Sequence, residues 1–187
     1  MAENKEEKKG GITKDTVPEG FTYAMALVDA LPVIFFGCTA AVIFTVFSSP
    51  LFAFAGILAT VSGLVKVLWK VIVVKDKKNV WPMFVQMRIF MPLGYALMMV
   101  SMLVDYKKVS LVAMGKAIVS FPACFLIALG FAGMGGMGYC ASKLDSSDPK
   151  ANWIEQGINS AAQLFLFLGS AAAVKKHKEN KAAAKED

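Results

Sequence analysis

The sequence predicts an all-α fold, a polytopic membrane helix bundle of five hydrophobic helices, and three observations carry that expectation. Hydrophobic residues make up 56% of the 187-residue chain, above the roughly 45–50% usual for soluble domains. Mean hydropathy is +0.54. The excess is gathered into long apolar blocks separated by short charged loops, the alternation a chain needs to cross a bilayer repeatedly. At about 1.5 Å per residue each block reaches across a hydrocarbon core of about 30 Å, and none is long enough to cross twice.

Residues 1–20 mix Lys, Glu and Gly without apolar periodicity and predict a disordered polar tail. Residues 21–174 then form one transmembrane helical domain. Block one covers residues 21–47, too long for the apolar core of a secretory signal peptide, so no cleaved leader is expected. The Ser48-Ser49-Pro50 turn follows, with Pro50 suited to the first turn of block two, residues 51–74. A basic loop, KDKKN, separates it from block three, residues 81–104, which Trp81-Pro82 opens. Block four is expected as one helix over residues 109–139. Asp148 and Pro149 resemble an N-cap and first helical residue for block five, which extends to residue 174. Residues 175–187 are read as a basic tail carrying the only histidine, His177.

Four blocks are expected to span. The fifth is the least apolar, with Glu155, Gln156, Asn159 and Gln163 crowded into its first half, and it either spans or is re-entrant. Five spans divide the basic residues only weakly between the two faces, whereas a returning fifth block divides them strongly. The reading adopted is five spans with a cytoplasmic N-terminus, in a prokaryotic plasma membrane. The side occupied by the C-terminal tail stays open.

Charges at bilayer depth are costly and tend to mark function. Asp29 lies about two turns into block one, and Lys66 and Lys70 share a face near the end of block two. Arg88 lies about two turns into block three, and Glu155, Asn159 and Gln163 recur every four residues along block five. With five spans these residues fall in one half of the bundle. Two readings compete: the cations extend to headgroups while Asp29 pairs with one of them, or the groups line a water-filled cavity. Pro32, Pro92 and Pro122 lie inside apolar blocks, and each frees a carbonyl four residues earlier, as in the broken helices of many transporters. A plain kink is the commoner consequence.

Ala128, Ala132, Gly136 and Cys140 recur at four-residue spacing and predict a small-residue packing seam, within the bundle or in a dimer. The methionine run Met83-Met87-Met91 reads as soft packing rather than a copper site. Cys38, Cys124 and Cys140 fit neither a zinc nor a disulfide pattern. No span carries a histidine, and the glycines lack the Gly-Lys-Ser/Thr ending of a phosphate loop, so neither an enzyme nor a cofactor is expected. The net charge of +6 is assigned to headgroup contacts of the lipid bilayer, not to nucleic acid. The expected role is a transporter, or transporter substrate-binding subunit, for a small anionic or zwitterionic solute held by Asp29, Lys66, Arg88, Glu155, Asn159 and Gln163. The alternative is a non-catalytic structural or assembly subunit, as a homo-oligomer or with a partner membrane subunit, working through the seam.

Overall fold

The computed structural model describes residues 12, 14, 15, 17–144 and 148–186. Most of the tail expected at residues 1–20 lies outside the described residues, as do residues 145–147 and Asp187. Helix α1 (Tyr23–Phe47) is capped by Thr22, whose hydroxyl accepts the Met25 N–H at 3.3 Å, and ends at Ser48, a left-handed residue with φ 45°. Ser49 caps α2 (Pro50–Asp76), and Pro50 takes the first turn as the sequence anticipates.

Trp81 and Pro82 open α3 (Trp81–Val85), and a break at Gln86 separates it from α4 (Met87–Val104). The Gln86 amide covers the exposed backbone there. Its Nε2 donates to the Met83 carbonyl at 3.2 Å and to the Ser62 carbonyl at 2.9 Å, while the Ser62 hydroxyl donates to its Oε1 at 2.9 Å. One glutamine thus stitches the broken span to α2.

Block four is not a single helix. It divides into α5 (Leu111–Ile118) and α6 (Ala123–Lys143), because Pro122 has no N–H to return to the Ile118 carbonyl and the chain turns through residues 119–122. Only α6 is long enough to cross. Helix α7 (Pro149–Glu186) begins where Asp148 Oδ1 accepts the Lys150 N–H at 3.0 Å. It then runs for 38 residues without interruption. A re-entrant segment requires a reversal, so the fifth block is a continuous helix. The segment read as a tail from residue 175 prolongs it, and His177 is buried because it shares a helix face with the packed Ala173 and Val174.

Five stretches are long and apolar enough to cross a membrane: Tyr23–Phe47, Pro50–Asp76, Trp81–Val104, Ala123–Lys143 and Pro149–Ala183. Their outer faces expose large apolar side chains, among them Leu27, Ile57, Leu103 and Phe131. Water penalises such a surface and hydrocarbon accepts it. The chain is an integral membrane helix bundle.

The spans pack side by side in the order α4, α2, α1, α7, α6, with α5 against α7. Small residues set the closest approaches. A Cβ at Gly94 would lie 3.0 Å from the Ala55 carbonyl oxygen of α2, and one at Gly130 would lie 3.1 Å from the Ala162 carbonyl oxygen of α7. The seam expected at Ala128, Ala132, Gly136 and Cys140 does not make that contact. Ala128 and Ala132 are exposed, and a Cβ at Gly136 would meet only Ile158 at 3.9 Å. At about 100° per residue, Ala128 and Ala132 lie roughly 160° and 200° around the helix from the packed Gly130, so the row starts on the opposite face.

Candidate functional site

The row of helices curves around a crevice of about 230 Å³ to which five helices contribute. Helix α1 supplies Asp29, Pro32, Val33 and Phe36; α2 supplies Ala59 and Lys66. Met91 and Tyr95 enter from α4, Met134 and Met137 from α6, and Gln156, Asn159 and Gln163 from α7. The α7 set follows from helical periodicity: Asn152, Gln156, Asn159 and Gln163 succeed one another by three or four residues and so form one stripe. Helices α4 and α6, at the two ends of the row, flank the crevice without packing along each other.

Beside this crevice lies an ion pair excluded from solvent. Asp29 Oδ2 meets Lys70 Nζ, and the two side chains are 3% and 2% exposed. Lys70 also donates to Asn152 Oδ1 at 2.7 Å and lies 5.1 Å from the centroid of the Phe21 ring. The pair therefore ties α2 to α1 and α7 at once. A buried ammonium with a counter-ion, an amide oxygen and an aromatic face has the partners burial demands. Lys70 does not extend to the headgroups. The pairing of Asp29 with a nearby lysine, one of the two sequence readings, is present.

The remaining polar groups are less satisfied. Asp29 Oδ1 and Glu155 Oε1 are buried without a hydrogen-bond donor among the described residues. Lys66 lines the crevice with no ion pair among the described residues. Glu155 lies near enough to Lys66, Lys70 and Asp29 for each of their charges to act on it. Gln163 Nε2 donates to Met134 Sδ at 3.5 Å, and Tyr95 packs edge-on against Phe36 with centroids 5.2 Å apart. Buried polar atoms left unpaired are rare in folded proteins and call for an occupant or a role.

Of the residues singled out from the sequence, Asp29, Lys66, Asn159 and Gln163 line one crevice, and Glu155 stands beside it within electrostatic reach. Arg88 does not join them. It is exposed, with its guanidinium carbon 5.0 Å from the centroid of the Phe84 ring. Residues outside the expected ligand set also enter the site: Lys70, one of the cations offered as a partner for Asp29, Asn152 as a ligand of Lys70, and Gln156, Tyr95 and the methionines as lining. The α7 stripe was available from its spacing. The contributions of α4 and α6 were not, because these helices are uniformly apolar around the positions concerned.

No protein-family model, curated protein or solved structure matches this chain.

Proposed function

We propose that this protein binds, and carries across the membrane, a small anionic or zwitterionic solute in the crevice between α1, α2, α4, α6 and α7. The observation that supports the reading is Lys66, a cation lining an intramembrane crevice with no ion pair among the described residues, which shares that crevice with the amides of Gln156, Asn159 and Gln163. A volume of about 230 Å³ is below the ~300 Å³ at which drug-sized pockets begin, so the solute is metabolite-sized. The chain acts as a transporter or as the solute-binding subunit of one, without catalysis. The end bearing the start of α1 and the basic Lys75, Lys77 and Lys78 faces the cytoplasm of a prokaryotic cell by the positive-inside rule.

Purification in mild detergent followed by native mass spectrometry tests the reading. The expected result is a small molecule carried reproducibly by the wild-type protein and lost from Lys66→Ala and Asn159→Ala, both of which still insert. Retention of that molecule by both variants overturns it. An assembly role is the second reading, supported by the exposed small residues of α6. A stoichiometric protein partner with an empty crevice is the outcome that favours it.

A further inference from the structure

We infer that the crevice selects an apolar zwitterion of the amino-acid type over a simple anion, an inference that rests on the binding role proposed above. The first argument is the local charge count. With Arg88 outside, the charged groups at the crevice are the acids Asp29 and Glu155 and the bases Lys66 and Lys70. The set is balanced, so a ligand of net charge zero leaves it balanced. A simple anion brings a third negative charge into a region from which water is largely excluded.

The second argument concerns which atoms lack partners. Lys70 is engaged by Asp29 and Asn152, whereas Lys66 makes no ion pair among the described residues. On the acidic side the unpartnered atoms are Asp29 Oδ1 and Glu155 Oε1. Both are acceptors, and a ligand carboxylate offers them nothing. An ammonium supplies three N–H donors and is the ligand group whose chemistry suits carboxylates left short of donors. The ligand carboxylate then turns toward Lys66, with the amide nitrogens of Asn159 and Gln163 as further donors. Asp29 lines the crevice and Glu155 stands beside it, so these two carboxylates set the acidic side of the site.

The third argument is the rest of the lining. Val33, Phe36, Met91, Met134 and Met137 give the remaining wall an apolar character suited to a hydrocarbon side chain. Methionine side chains adapt to several such shapes.

Three probes that share one branched hydrocarbon separate the contributions: L-leucine, 4-methylpentanoate, which lacks the ammonium, and 3-methylbutylamine, which lacks the carboxylate. Their affinities for the full-length protein in detergent are measured by isothermal titration. A site built around buried polar groups rejects an analogue that leaves them unpaired, so L-leucine is expected to bind at least ~100-fold more tightly than either analogue. Glu155→Gln is expected to weaken L-leucine and narrow its margin over 4-methylpentanoate, with the folded fraction unchanged. Equal or tighter binding of 4-methylpentanoate overturns the inference and leaves the anion-binding reading standing. Binding of none of the three also overturns it, and the mass-spectrometric test above then decides separately whether the crevice holds another solute.

Discussion

Replacing Asp29 by Asn keeps the size of the side chain and removes the charge that Lys70 meets in the interior. Lys70 is 1% exposed and Asp29 4%, so neither water nor a headgroup can take over. Of the ammonium's contacts, the Asn152 oxygen at 2.7 Å and the Phe21 ring at 5.1 Å remain, and neither carries a formal charge. Removing one partner of a buried pair costs about 3–5 kcal/mol. At roughly 2–4 °C per kcal/mol for a chain of this size, that lowers the unfolding midpoint by about 10 °C. Lys70→Met in the Asp29→Asn background removes the stranded charge and keeps the length of the side chain. It should recover most of the loss, to within the ~1 kcal/mol net worth of the Asn152 hydrogen bond. Thermal unfolding in detergent, followed by tryptophan fluorescence, reads all three proteins, since Trp69 is buried next to Lys70 in sequence. A single-variant loss below about 1 kcal/mol, or a double variant no more stable than Asp29→Asn, would refute the reasoning that the pair is a coupled buried unit.

The remaining expectations follow from the same geometry. Arg88→Ala should leave solute binding within about twofold of wild type while Lys66→Ala abolishes it, as measured by the ligand retained in native mass spectrometry, because only Lys66 lines the crevice. Gly94→Ala should cost about 1–3 kcal/mol through overpacking, since its Cβ would lie 2.8 Å from that of Ala59 and 3.0 Å from a backbone oxygen. Gly135→Ala, with nothing within 4 Å, should stay within about 1 kcal/mol of wild type; equal midpoints for the two variants would contradict the assigned α2–α4 contact. Ser49→Ala should cost about 1–3 kcal/mol, because this fully buried hydroxyl caps α2, meets Ser101 Oγ at 2.8 Å and donates to Asp105. A denaturation curve superimposing on wild type would show that the network contributes nothing.

The sequence by itself determined the elements whose causes are local. Apolar block length gave the spans, and the capping chemistry of Ser49-Pro50 and Asp148-Pro149 placed the starts of α2 and α7 where they are found. The spacing of Asn159 and Gln163 announced a polar stripe, and a polar stripe lines the crevice. Block four divides for a reason that is also local: the chain breaks at Pro122 between α5 and α6, within an apolar run that hydropathy alone does not interrupt. The continuous course of α7 past residue 175 rests on packing of Ala173, Val174 and His177, and beyond them on the helix-favouring Ala, Lys and Glu of an exposed stretch. Only the tertiary structure decided which charges meet. Lys70 and not Arg88 joins Asp29 because α2 packs between α1 and α4, and the one departure from chain order among the spans, α7 seated on α1, brings Asn152 to Lys70. Helical periodicity tells which residues of one helix share a face. The face that each one meets depends on close approaches such as Gly94 on α2 and Gly130 on α7, which are sums over many contacts between segments distant in sequence.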